Sequence, residues 1–274
     1  MDEEVTRHDP RIAQVLVAFR RNGTRAPLFC FHPVGGNVLH YRMLVEALHP
    51  EQPLYGVQAF GLDGRSSPLD SIEAMSSLYL RAIKSVQPDG PYLLAGGSMG
   101  GVLALEVAQQ MRREGEAVRM LLMFDTMGPN SMGTSNGALV ALLDRLRQRG
   151  EGRSVLGVIS GALAIRARNL AREIRCRTRL ARGVPLSHDD RHWYVEQVSR
   201  RAVQRYVPRV YSGQIHLIRG SMEESGLYSD PERGWSGWAD AGVVAVGIEG
   251  RHESLIEAPG FGRCLRELLD SAAG

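Results

Sequence analysis

The stretch PYLLAGGSMGGVLALEVAQQMRR, residues 91–113, carries the reading of the whole chain. Tyr92 to Ala95 is apolar without alternation, as a strand buried on both faces is. From Met99 the apolar residues recur at helical spacing, and Gly115 stands where a helix of that length would be capped. Strand and helix meet at Gly96-Gly97-Ser98-Met99-Gly100, which fits G-x-S-x-G in the setting that gives this motif its meaning, a sharp strand-to-helix turn presenting an exposed serine. Such a turn strains the backbone of its serine and brings strand and helix close, so Gly96, Gly100 and Gly101 supply space.

Outward from this turn, short apolar runs alternate with helical patterns from Ala26 to Asp125. PLFCFH, PLYGV and RMLLMFD read as further buried strands, and Val38–Leu48 and Ser71–Val86 as helices, the second with Asp70 as N-cap. The pattern predicts an α/β fold with a mostly parallel central sheet and helices on both faces. After Asp125 the rhythm breaks at MGPNSMGTSNG, which reads as a loop or hinge. Leu139, Leu142, Leu143 and Leu146, then Leu156, Ile159, Leu163 and Ile165, suit amphipathic helices. Another helix is expected from Asp190 to Tyr206 after a break at Pro185 and Ser187. Residues 128–208 therefore read as a helical subdomain inserted into a single domain spanning 1–274. The sheet resumes with GQIHLIRG and VVAVGI, and a helix from Pro259 to Ser271 closes the chain.

The 274 residues are 43% hydrophobic and 23% charged, enough for one large core and unlike a disordered chain. The first twelve residues are polar and acidic and lack the features of a secretory signal, which predicts a cytoplasmic location; no stretch reads as a membrane span. Cys30, Cys176 and Cys264 are widely spaced, so neither a disulfide framework nor a zinc site is expected. Between Arg145 and Arg209 stand 16 arginines against five carboxylates. Without interleaved aromatics or a binding motif, this block reads as a solvated helical face or a patch for an acidic protein, and not as a nucleic-acid site.

A serine hydroxyl needs a base to become a nucleophile. His252, in GIEGRHESLIEAP between the final strand and the final helix, is placed to serve. His8, His40, His49, His188, His192 and His216 fall in the leader, in helices or inside a strand, and His32 reads as packing under a loop. The acid that orients the base has two candidate positions. Asp125 ends the strand beside the elbow, while Glu223 or Glu224 follows GQIHLIRG. An oxyanion needs two donors: the Met99 N–H supplies one, and Val34, in His32-Pro33-Val34-Gly35-Gly36, supplies the other.

Together, PLFCFHPVGGNVLHYRMLVEAL, QPLYGVQAFGLDG, GPYLLAGGSMGG, LLMFDT, VPRVYSGQIHLIRG, Trp235, Trp238 and GRHESLIEAP closely resemble the α/β-hydrolase thioesterase domains that end non-ribosomal peptide and polyketide synthases. The resemblance implies that Asp125 is the acid, that Ser98, Asp125 and His252 form a triad, and that the inserted helices form a lid. It also implies a thioester substrate presented on the phosphopantetheine of an acyl or peptidyl carrier protein, release by hydrolysis or macrocyclisation, and no cofactor bound by the domain itself. Docking of the acidic carrier on the lid arginines is expected. An editing thioesterase, a general carboxylesterase and a non-catalytic carrier-binding module are the competing readings. One departure stands out. Gly97 replaces the aromatic residue or histidine more usual before the serine, implying room beside the nucleophile, a wider acyl pocket or a looser elbow.

Overall fold

The computed structural model describes residues 9–132, 155–222 and 229–273. Seven strands form one sheet in the order β1-β3-β2-β4-β5-β6-β7: β1 Leu16–Arg20, β2 Leu28–Phe31, β3 Leu54–Val57, β4 Tyr92–Gly97, β5 Val118–Phe124, β6 Ile215–Gly220 and β7 Val243–Ile248. Every pairing is parallel except that of β1, which runs antiparallel to β3 at the edge.

The helices are α1 Pro10–Val15, α2 Leu44–Ala47, α3 Ile72–Lys84, α4 Met99–Arg113, α5 Pro129–Met132, α6 Val155–Ala181, α7 His188–Arg205 and α8 Phe261–Ala273, with 3₁₀ turns at Leu39–Met43 and His252–Glu257. Because successive strand residues point to opposite faces, each central strand feeds two cores. Phe29, Phe31, Leu94, Leu121 and Met123 pack with α3 and α4. Leu28, Cys30, Leu93, Ala95, Leu122 and Phe124 pack with α2 and α8 on the other face. Burial on both sides explains why these strands are continuous apolar runs.

Asp9 caps α1, its carboxylate accepting from Arg11 N at 3.0 Å with Pro10 at the first helical position, and β1 follows at once. Several expectations are corrected. The segment Val38–Leu48 is a 3₁₀ turn followed by one turn of α-helix. Ser71, not Asp70, caps α3, accepting from Ala74 N at 3.2 Å. Pro129–Met132 of the expected loop forms the short helix α5. Leu163 and Ile165 are exposed on α6, with no described partner face. Leu139, Leu142, Leu143 and Leu146 lie outside the described residues.

The elbow glycines have the predicted reason. A Cβ on Gly96 would stand 2.2 Å from the Gly100 carbonyl carbon, one on Gly100 2.3 Å from Phe31 O, and one on Gly101 2.1 Å from the Thr126 hydroxyl. Gly100→Ala should therefore lose about 1–3 kcal/mol of stability through overpacking against backbone. Gly35→Ala, where a Cβ meets nothing within 4 Å, should change it by about 0.5 kcal/mol or less. Urea denaturation of the two variants measures the contrast.

Candidate active site

Ser98 follows β4 directly, with φ 53° and ψ −122°, and α4 begins at the next residue. This strained conformation is held from three sides. Ser98 N donates to Phe124 O at 2.9 Å, extending the β4–β5 ladder. Its carbonyl accepts from Gly101 N at 3.1 Å and from the Thr126 hydroxyl at 3.0 Å. One residue earlier, Gly97 N donates to the Tyr41 hydroxyl at 2.9 Å, and that hydroxyl donates to Phe31 O at 2.8 Å. The elbow is thus tied to both neighbouring strands. The first amides of α4 and its positive dipole end face the region beside Ser98, with Met99 N the first of them.

Asp125 ends β5 as expected, its N–H donating to Ile218 O at 2.8 Å in the β5–β6 ladder. Its carboxylate is almost completely buried and fully engaged. Oδ1 accepts from Arg233 Nε at 2.9 Å and from Gly220 N at 3.3 Å, while Oδ2 bonds His252 Nδ1 at 2.8 Å. Burial alone would raise this carboxyl; the hydrogen bonds and charges of His252 and Arg233 outweigh it and hold it below the usual carboxylate range. An ionised carboxylate only accepts, so Nδ1 donates the hydrogen bond, and the tautomer this selects for a neutral ring has Nε2 as its basic nitrogen.

Ser98 and His252 line one cavity of ≈330 Å³, together with Val34 of the loop after β2. That loop is shaped by the Gly36 N to Pro33 O turn at 2.9 Å and by φ +82° at Gly36. His32 is buried beneath it: Nδ1 donates to Pro33 O at 2.7 Å, so Nε2 accepts from the Tyr79 hydroxyl at 2.8 Å. Burial depresses its pKa to about 4, and it is a packing residue, as the sequence suggested.

Residues 223–228, including Glu223 and Glu224, lie outside the described residues, as does His8. His40 reaches the cavity wall, which its place in the chain does not reveal. Arg233 was also missed. It is fully buried, adopts φ 52°, and donates from a terminal nitrogen to Gly220 O at 2.6 Å. Its loop is anchored by Asp230, which accepts from Glu232 N at 2.9 Å and Gly234 N at 2.6 Å, and by Trp235 Nε1 donating to Thr126 O at 2.8 Å. Only the Asp230-to-Trp238 cluster of turn formers and tryptophans hints at it in sequence.

A parallel sheet wrapped by helices, a serine at the β4–α4 turn, and a histidine on the loop after the last strand together define an α/β hydrolase. A family model described as the thioesterase domain matches residues 26–269, and the chain belongs to that family. Among its relatives, malpibaldin synthetase of Mortierella alpina is 43% identical over 118 residues, which are 43% of this chain and 2% of the synthetase. The dimodular nonribosomal peptide synthase of Bacillus subtilis (strain 168) is 39% identical over 111 residues, 40% of this chain and 5% of the synthase. The chain thus spans a small fraction of the length of these relatives. The NocB thioesterase domain from the nocardicin cluster superposes with a TM-score of 0.64 at 23% identity, covering 94% of this chain and 99% of that one. Among the described residues no helix is long and apolar enough to cross a membrane.

Removing the Arg233 guanidinium leaves a buried carboxylate without its permanently charged partner, so Arg233→Met should lose about 3–5 kcal/mol at neutral pH. Asp125 has a lowered pKa in the folded state. Its contribution is therefore present above the unfolded value of about 4 and is lost as pH falls through the lower folded one. The stability gap between wild type and Arg233→Met should narrow below about pH 4, as measured by urea titration across pH.

Proposed function

We propose that this chain is an acyl-releasing thioesterase in which Ser98 is the nucleophile, His252 the general base, Asp125 the orienting acid, and the Val34 and Met99 amides the oxyanion donors. The observation that carries this reading is the His252 Nδ1 to Asp125 Oδ2 hydrogen bond of 2.8 Å on the rim of the cavity that holds Ser98. It fixes the tautomer whose Nε2 can accept a proton.

In the acylation step, Nε2 removes the Ser98 proton while Oγ attacks the thioester carbonyl. The resulting oxyanion is met by two backbone donors and the N-terminal dipole of α4. Collapse of the intermediate breaks the carbon–sulfur bond, and the imidazolium proton passes to the departing thiol. The acyl ester on Ser98 is then resolved by water, giving an acid, or by an amine or hydroxyl of the chain itself, giving a ring.

The substrate is an acyl or peptidyl chain on the phosphopantetheine of a carrier protein, in keeping with relatives named as peptide and polyketide synthases. The insertion at 128–208 acts as a lid. Supporting this, α7 packs on the oxyanion loop, where a Cβ on Gly36 would stand 2.8 Å from Val195 Cγ1. α6 carries Arg166, Arg168, Arg172, Arg175, Arg177 and Arg179 against one acid of its own, Glu173; Arg172 pairs with Asp190 of α7 and Arg177 with Glu173, and the excess of positive charge suits an acidic carrier.

Incubation with acyl thioesters followed by intact mass measurement should show an acyl adduct on wild type and none on Ser98→Ala, and Ser98→Cys should retain the acyl group longer. Persistent acylation of Ser98→Ala would refute the assignment. Asp125→Asn, which favours the wrong tautomer, should lower kcat on the order of 10³–10⁴-fold in steady-state assays. Charge reversal at Arg166 and Arg168 should weaken turnover of carrier-bound chains in a salt-sensitive way while sparing small soluble thioesters.

A further inference from the structure

Gly97 differs from the other glycines of the elbow. Gly96, Gly100 and Gly101 are demanded by packing, whereas a Cβ on Gly97 would meet nothing nearer than the Tyr41 hydroxyl at 3.5 Å and Phe124 Cβ at 3.8 Å, ordinary van der Waals contacts. Nor is its φ in the left-handed region. Neither backbone nor packing requires glycine there, so the missing side chain supplies space. That space is continuous with the ≈330 Å³ cavity, whose wall includes both Gly97 and Ser98.

The shape of the cavity points to its occupant. Its lining includes the unbroken run His252–Glu257, beginning at the base itself, together with Phe124 and Val34. His40, Met43 and Glu257 also belong to an outer groove that runs to Val17, Ala18 and Phe19 of β1, so the cavity leads outward along the sheet edge. The group that receives the proton from Nε2 must lie on the His252 side of the carbonyl, and in acylation that group is the departing sulfur.

Resting on the acyl-transfer reading above, we infer that the Gly97 cavity is the leaving-group channel, holding the pantetheine arm of the thioester. Its composition suits such an arm. Leu255, Ile256 and Met43 face its methylenes and methyls, and Glu253 and Glu257 can accept from its amide N–H groups. The phosphate end falls outside the cavity in the outer groove, whose charged lining is Arg42 with Glu46 and Glu257. As the Ser98 Oγ–carbon bond forms and the carbon–sulfur bond breaks, the electron pair goes to sulfur, the Ser98 proton reaches it through His252, and the arm leaves with the thiol.

An occupant that departs in the first step can be told from one that stays. Hexanoyl-pantetheine and the hexanoyl thioester of methyl thioglycolate carry the same acyl group on a long arm and on a short thiol. For the full chain and its Gly97→Phe and Gly97→Ala variants, stopped-flow thiol release gives acylation, and decay of the acyl-enzyme mass gives deacylation. Filling the channel with Gly97→Phe should lower the acylation ratio, pantetheine over methyl thioglycolate, by roughly tenfold or more, with deacylation unchanged. Gly97→Ala, which the backbone accommodates, should lower the same ratio by about twofold to threefold, and it decides the matter if Gly97→Phe does not fold. Equal losses on both thiols with slowed deacylation would assign the cavity to the acyl chain, and an unchanged ratio would leave Gly97 without this role; either overturns the inference. Absence of any acyl-enzyme in wild type would instead refute the acyl-transfer reading beneath it.

Discussion

The site depends on how one buried carboxylate is shared. A carboxylate taken out of water costs several kcal/mol unless its lone pairs are filled. Asp125 fills them by division: Oδ1 belongs to the Arg233 guanidinium and the Gly220 amide, Oδ2 to the His252 imidazole. The division matters as much as the charge. With Oδ1 occupied by a guanidinium that is itself fixed to Gly220 O, the carboxylate cannot rotate away from His252. The loop carrying Arg233 is in turn joined to the chain just after β5 by Gly128 N donating to Arg233 O at 2.7 Å. Carboxylate, guanidinium and imidazole form one packed unit.

The three non-glycine residues with positive φ among the described residues are Ser98, Asp125 and Arg233. Each such conformation costs on the order of 1–3 kcal/mol, and each persists because its surroundings leave no alternative. For Ser98 and Asp125 the restraint is the ladder itself, through Phe124 O and Ile218 O. For Arg233 it is the turn closed by its own N–H on Asp230 O at 3.0 Å. For Ser98 and Asp125, strain therefore falls at the ends of adjacent parallel strands, where the ladder holds it.

Much of this was legible in the residues. The buried strands announced themselves because strands covered on both faces need unbroken apolar runs, and the elbow because close approach of β4 and α4 leaves space only for glycine at 96, 100 and 101. What escaped was set by tertiary contact. Arg233 looks like a surface residue in a polar loop, and nothing local says that its guanidinium turns inward to a carboxylate 108 positions earlier. The run Val15–Phe19 is apolar enough for a strand, but it follows a polar leader, and only pairing with β3 makes it the edge strand β1. Val38–Leu48 has helical spacing, yet Tyr41 is drawn down to bond Phe31 O, and the segment tightens into a 3₁₀ turn.

The separation between Asp125 and His252 is 127 residues, and the inserted helices α6 and α7 lie between them in sequence. A ribosome making this chain from its N-terminus exposes the serine and the acid long before the arginine and the histidine. Until β6 and β7 are laid against β5, Asp125 has none of the three partners that fill its carboxylate. The contacts that fill the Asp125 carboxylate, from Gly220, Arg233 and His252, all come from the part of the chain laid down last, so this buried charge is satisfied only when the sheet is complete.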